Sequence, residues 1–179
     1  MRIISGQYGG RRISPPAKMP HTRPTTDIAK EGLFNILQNN ISLEGIESLD
    51  LFGGTGSISY ELASRGAAKL SVVEKDPTMY EFIRETSELL AIENLKVVKS
   101  DVFRYIETTK DKYDFIFAGP PYALTAIDDL PLKIFEHNLL KAGGWFVLEH
   151  TPRNDYKKFA HYRTERNYGT TIFSIFIQD

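Results

Sequence analysis

The chain has 179 residues, 41% of them hydrophobic and 25% charged, and no cysteine. That is enough chain to enclose a core unaided, and it excludes a disulfide framework and thiolate chemistry. Neither an apolar leader nor an apolar run of membrane-spanning length occurs, so the expectation is a cytoplasmic protein.

The net charge of −1 is unevenly placed. Residues 1–26 hold Arg2, Arg11, Arg12, Lys18 and Arg23 and no acid, leaving 17 basic against 23 acidic residues in the remainder. A basic arm on an acidic body suits a polyanion partner, the plainer reading being a solvated basic terminus. The arm opens with RIISGQYGGRRI, two short runs around glycine punctuation, which predicts a hairpin. SPPAKMPHTRPTT follows, with four prolines in 13 residues, an irregular and stiff connector. A division into a basic arm, 1–24, and a main domain, 25–179, follows. Thr25 or Thr26 can cap a helix whose apolar face is expected to hold Ile28, Leu33, Phe34, Ile36, Leu37 and Ile41.

From residue 46 strand and helix patterns alternate. Strands are predicted at 47–52, 69–74, 95–100, 113–118 and 144–150, and helices at 57–65, 77–91, 101–108 and 130–139. That alternation implies an α/β fold with a parallel sheet covered by helices on both faces. HYRTERNYG and TTIFSIFIQ then read as a terminal antiparallel strand pair.

Ligands of such sheets sit at the carboxyl ends of the strands. The first strand ends in DLFGGTGSIS, where Gly53, Gly54 and Gly56 allow a tight turn and close approach to a ligand. Ser59 breaks the dinucleotide spacing and no phosphate-binding P-loop pattern is present. Asp50 would repel a pyrophosphate and suits a ligand carrying a positive charge or an amine, or else caps the turn. Glu74 ends the second strand, 18 residues after Gly56, where a carboxylate can accept ribose hydroxyls. Asp76 and Pro77 read as the N-cap and first residue of the next helix. Asp101, after the third strand, can meet an adenine amine or cap the helix that follows. Acids and a glycine loop at successive strand ends describe a site for a nucleoside with an amino-acid-like tail, for which S-adenosylmethionine is the candidate. The fourth strand runs into IFAGPPYAL, a stiff exposed tip.

DLFGGTGSIS, VVEKD, SDVF and IFAGPPY together resemble the motifs of Rossmann-like class I S-adenosylmethionine-dependent methyltransferases. The last is similar to the [DN]-P-P-[YFW] motif of enzymes that methylate exocyclic amines of nucleobases. With MRIISGQYGGRR and RPTTDIAKEGLFNIL, the whole chain resembles the RsmD family, bacterial methyltransferases that modify guanine N2 of small-subunit ribosomal RNA. The resemblance implies a mostly parallel seven-stranded sheet and a monomer acting on 16S rRNA, within the small ribosomal subunit, without a metal. Cofactor contacts are implied for Asp50, Phe52, Gly53, Gly54 and Gly56. Further ones fall on Glu74, Lys75, Asp101 and Val102. Gly119, Pro120, Pro121 and Tyr122 then form the catalytic tip, the prolines fixing backbone carbonyls that accept the amine and Tyr122 stacking on a flipped base. Arg2, Arg11, Arg12, Lys18 and Arg23 would contact RNA.

The motif departs from the family pattern at Gly119, which offers no side-chain acceptor where the family has an acid or amide. Transfer then rests on backbone carbonyls, on orientation or on another acceptor. Asp128 and Asp129 lie on the next loop but read better as loop charges and a helix cap. Glu149-His150 ends the fifth strand, where a structural role is expected. His21, His137, His150 and His161 lack metal-ligand spacing. Two other classes stay open: an RNA-binding or ribosome assembly factor on the same fold, which Gly119 favours, and a nicotinamide oxidoreductase, against which Ser59 and Asp50 count.

Overall fold

The computed structural model describes residues 1–19 and 24–179. Helix α1 (Asp27–Asn40) is followed by β1 (Glu47–Leu51), α2 (Ser57–Ser64), β2 (Lys69–Val73), α3 (Pro77–Leu89) and β3 (Leu95–Val98). Then come α4 (Val102–Thr108), β4 (Tyr113–Ala118), α5 (Asp129–Glu136), β5 (Leu140–His150), β6 (Tyr162–Tyr168) and β7 (Thr171–Ile177). The seven strands form one sheet in the order β3-β2-β1-β4-β5-β7-β6. The first five are parallel, and β7 runs antiparallel to both β5 and β6. This is the mostly parallel, helix-covered sheet with a terminal antiparallel pair that the sequence implies.

Period-two alternation divides the core between the two faces of the sheet. On β4, Phe115 and Phe117 join one cluster with Leu33, Phe34 and Leu37 of α1 and Ile58 and Leu62 of α2. Ile116 and Ala118 join the other, with Val102 and Ile106 of α4 and Leu130 and Ile134 of α5. Trp145, half-buried, packs at the margin of the first cluster. Ile28, expected on the buried face of α1, is 76% exposed: Thr26 caps the helix by accepting the Ala29 N–H, and Ile28 then falls on the solvent side.

Several elements stop earlier than the hydrophobic pattern suggests, and left-handed residues explain where. Phe52 (φ 61°) ends β1, Ala91 (φ 56°) follows the end of α3, and Asn138 (φ 53°) stops α5 at Glu136. In the other direction β5 starts four residues before the expected Gly144. The Gly143-Gly144 pair lies inside it, near a register shift against β4.

The arm is folded back on the body. Its hairpin survives as a single antiparallel bridge, Arg2 to Arg12, with the Ile3 N–H donating to the Arg11 carbonyl and the Gly10 N–H to the Ile3 carbonyl. Ile3 and Ile13 are buried in the first cluster. Glu61 of α2, wholly buried, accepts the N–H groups of Ile4 and Ser5 at 2.8 and 3.1 Å and pairs with Lys30 and Arg65 at 3.3 and 2.8 Å. Gly6 adopts φ 85°, and a side chain there would overlap the Ser64 carbonyl. Among the described residues no helix is long and apolar enough to cross a membrane.

Candidate active site

Strand order reverses between β1 and β4, and a cleft of about 380 Å³ opens at the carboxyl ends of the strands there. Asp50, Phe52, Gly53, Gly54, Glu74, Lys75, Asp101, Val102, Gly119, Pro120 and Pro121 all line it. The residues expected at four separate strand ends thus meet in one cavity. Gly56 is not among the lining residues. It starts α2 at φ 82°, and a Cβ there would press on the Tyr60 ring, so its task is the turn itself.

The loop after β1 is stapled to β2. The Gly54 N–H donates to Glu74 Oε1 and the Asp76 N–H to Glu74 Oε2, each at 2.8 Å, while the Gly53 N–H donates to the Val73 carbonyl at 2.9 Å. Glu74 therefore holds the loop's shape as well as facing the cleft. A carboxylate has about four acceptor directions, so both oxygens keep capacity for a ligand hydroxyl. No side chain caps α2, which leaves its first-turn N–H groups beside the cleft, where Ser57 and Ile58 belong to the lining.

Asp50 is buried beneath the loop and accepts the Ser59 hydroxyl at 2.9 Å. Burial pushes its carboxyl well above the usual range, and the nearby Glu74 and Glu149 push the same way against the Ser59 bond. A cation entering the cleft would draw it back down. Asp76 caps α3 by accepting the Met79 N–H at 3.0 Å, and Asp101 caps α4 by accepting the Arg104 N–H at 3.1 Å. Asp101, capping its helix, is also exposed at the cleft rim.

The tip after β4 divides. Gly119, Pro120 and Pro121 face the cleft, but Tyr122, 42% exposed, lines a neighbouring hollow with Ala123, Thr125, Ile127, His150, Thr151, Arg153 and Asn154. Leu124 separates the two cavities and lines both. Asp128 is occupied elsewhere, accepting the Tyr156 hydroxyl at 2.9 Å. Asp129 sits exposed in the first turn of α5. His150 is buried between the Thr151 carbonyl and the Ser174 hydroxyl, and burial holds its imidazole below the usual value. His161 stacks on Phe135 at 4.1 Å and His137 ends α5. Among the described residues no group of side chains could hold a metal ion.

Arg2, Arg11, Arg12 and Lys18 are all exposed on the arm, with the Arg11 guanidinium 5.7 Å from the Tyr8 ring centre. Arg23 and His21 lie outside the described residues. Sequence reasoning missed Phe103, Phe117, Ser57 and Ile58 as lining residues, and Thr25, which reaches the cleft from the connector. Phe103 sits inside SDVF and could have been found there. Thr25 could not, because nothing in the chain order says that the connector crosses the carboxyl edge of the sheet.

The family model described as "Conserved hypothetical protein 95" matches residues 1–177. Ribosomal RNA small subunit methyltransferase D of Escherichia coli K12 is 31% identical over 149 residues, covering 83% of this chain and 71% of that one. The chain belongs to the RsmD family. It carries the fold of these methyltransferases over its whole length. A solved hypothetical protein of Thermus thermophilus superposes with a TM-score of 0.86 at 26% identity, covering 98% of both chains. A structure described as a complex with SAH, 19% identical, matches the fold at 0.67 over 84% of this chain and 50% of that one. Membership makes this chain a methyltransferase.

Proposed function

We propose that this chain uses S-adenosylmethionine to methylate the exocyclic N2 of a guanine in 16S rRNA, acting as a cytoplasmic monomer on the small ribosomal subunit. The observation that carries this reading is the cleft itself, which joins a nucleoside-sized pocket to a proline-stiffened tip across the β1/β4 switch point.

The residues present fit the cofactor. Glu74 offers acceptors to ribose hydroxyls, Phe52, Val102 and Phe103 offer apolar surface to adenine, and Asp101 stands where an adenine amine can donate. Asp50 and the uncapped start of α2 provide an acid for an amino group and N–H donors for a carboxylate. S-adenosylmethionine, when bound, supplies an electrophilic methyl group. The chain's own part is to present the amine. Pro120 and Pro121 stiffen the tip at the cleft mouth, where the Pro121 carbonyl already accepts the Leu124 N–H at 3.0 Å, and Tyr122 beside it offers an aromatic face to a base taken out of its stack.

The arm, 1–24, supplies the RNA contacts through Arg2, Arg11, Arg12 and Lys18, with Arg23 on the connector. The bridge between Arg2 and Arg12 supports this. Residues opposite each other on an antiparallel pair put like charges together, which is unfavourable until a polyanion lies across them. The test is transfer of a labelled methyl group to small subunits lacking the modification and to naked 16S rRNA, followed by mapping of the labelled atom. Label on guanine N2, with subunits preferred over naked RNA, is the expected result. A second reading, an RNA-binding assembly factor with the same cleft, is favoured by Gly119 alone. It predicts cofactor and RNA binding with no product in a single turnover.

A further inference from the structure

The hollow on the far side of Leu124 differs from the cleft in charge. The cleft is lined by four acids, Asp50, Glu74, Asp76 and Asp101, against one cation, Lys75. The hollow, about 500 Å³, is lined by no acid among the described residues, and its one permanently charged member is Arg153. Arg153 is exposed and makes no ion pair among the described residues, although cations further along the segment do: Lys157 meets Glu165 at 3.2 Å and Arg163 meets Asp179 at 3.7 Å. The acids that bear on the adjoining His150 have other partners: Asp128 accepts the Tyr156 hydroxyl, Asp155 the Lys157 N–H, and Glu165 pairs with Lys157. The turn that carries Arg153 is held from below. His150, 1% exposed, contacts the Thr151 carbonyl through Nδ1 at 2.8 Å and the Ser174 hydroxyl through Nε2 at 2.6 Å. A carbonyl only accepts, so Nδ1 donates and Nε2 accepts from Ser174. Thr151 then accepts the Arg153 N–H on its hydroxyl at 3.3 Å and the Asn154 N–H on its carbonyl at 3.2 Å. A buried histidine thus anchors the turn that sets Arg153 and Asn154 at the hollow.

We propose that this hollow holds the sugar-phosphate of the extruded nucleotide, with the Arg153 guanidinium on a phosphate that flanks the target base. The proposal rests on the reading that the tip receives a base taken out of an RNA stack. Such a base brings its backbone with it, and each flanking phosphate is an anion. The acids of the cleft repel an anion and suit the positively charged cofactor instead. Arg153, across Leu124 from them, offers a fork of donors that matches a phosphate and has no carboxylate to give up first. Leu124 keeps the two sites apart, so phosphate and cofactor do not compete for one space. Thr125 and Asn154, also in the lining, carry groups that can bond a ribose hydroxyl. The exposed cations of the arm draw RNA from a distance, whereas Arg153 stands beside the tip and acts on one phosphate. A phosphate contact of this kind carries no sequence information, but it fixes which nucleotide stands at the tip.

The experiment uses the full chain and an unmodified small-subunit rRNA fragment containing the nucleotide that methyl labelling identifies. The fragment is made in three forms: with all its phosphates, and with an uncharged methylphosphonate on the 5′ or the 3′ side of that nucleotide. One of the two neutral linkages should cost wild type about five- to ten-fold in affinity. Arg153→Ala should cost as much on the all-phosphate fragment, lose nothing further on that neutral linkage, and reduce the salt slope by about 0.7. Its affinity for S-adenosylmethionine should stay within about two-fold of wild type. Arg153→Lys keeps the charge without the fork and should recover part of the loss. Lys158→Ala removes an exposed cation of the same segment that lines neither cavity, and should still show the full loss at the neutral linkage. If Arg153→Ala loses as much as wild type at the neutral linkages, or if neither linkage costs wild type anything, Arg153 is a solvated cation and the inference fails, while label on guanine N2 leaves the proposed reaction standing. If the label falls on another atom but the coupling to Arg153 holds, the proposed reaction fails and the phosphate site stands.

Discussion

Glu74 shows how one side chain can hold a loop and still line the proposed cofactor site. Its two oxygens hold the loop after β1 through Gly54 and Asp76 and face the cleft at the same time. Glu74→Gln retains one carbonyl acceptor but points an amide donor at a backbone N–H. It should weaken S-adenosylmethionine binding by about 1.5–3 kcal/mol in a calorimetric titration, and Glu74→Ala by at least as much. Unchanged affinity in both would remove Glu74 from the cofactor site. Glu61 tests burial instead. Burial alone would raise its carboxyl, but the N–H of Ile4, the Arg65 guanidinium and Lys30 more than offset this and hold it below the usual value. A lowered folded value means stability that is full above the unfolded pKa of about 4.3 and lost as pH falls through the folded one. Glu61→Gln leaves Lys30 buried beside no carboxylate and should cost about 3–5 kcal/mol at neutral pH by denaturant unfolding. The variant should also lose that share of the acid sensitivity.

At the scale of elements, α2 connects the glycine loop at the cleft to the arm. It starts at the proposed cofactor loop, and its outer side carries the arm through Glu61 and Ser64. The arm's fit against it is tight at Gly6, where both the left-handed backbone and the Ser64 carbonyl exclude a side chain. Gly6→Ala should therefore detach the arm without unfolding the sheet. Hydrogen exchange should then show lost protection at Ile4, Ser5, Gln7 and Tyr8, whose N–H groups bond to α2, while β1 and β4 keep theirs. The elements themselves were largely legible because alternation and capping are local signals: YDFIFA is a strand by period, and Asp76-Pro77 starts a helix by chemistry. Ends were less legible. Phe52, Ala91 and Asn138 take left-handed backbone that their residue types do not announce. The site was legible where each residue follows its own strand. It was illegible where two distant segments meet, as Thr25 and Glu149 do across 124 positions.

For the whole molecule, charge separation matters more than net charge. Arg2, Arg11, Arg12 and Lys18 stand exposed on a body that is otherwise acidic, so on the proposed reading RNA would be attracted to one end and repelled elsewhere. Replacing Arg11, Arg12 and Lys18 with alanine should flatten the dependence of log affinity for RNA on log salt by roughly 2, at about 0.7 for each phosphate no longer neutralised. Cofactor affinity should not move, because none of the three lines the cleft. An unaltered slope would return the arm to a solvated terminus.

The position of β7 inside the sheet also has a consequence for assembly. β6 precedes it in the chain but lies outside it, and within the sheet β6 pairs with β7. Growth order and spatial order are inverted there. Until Thr171–Ile177 is made, the outer edge of β5 has no strand beside it, and β6 has no strand to pair with. The two strands differ accordingly. TIFSIFI is buried along nearly its whole length, whereas YRTERNY has no fully buried residue and carries Arg163, Glu165 and Arg166. Those charges keep a waiting strand in water and, once the hairpin has closed, make the finished edge a poor template for another chain. The sheet is completed from within, by the last of its seven strands in chain order.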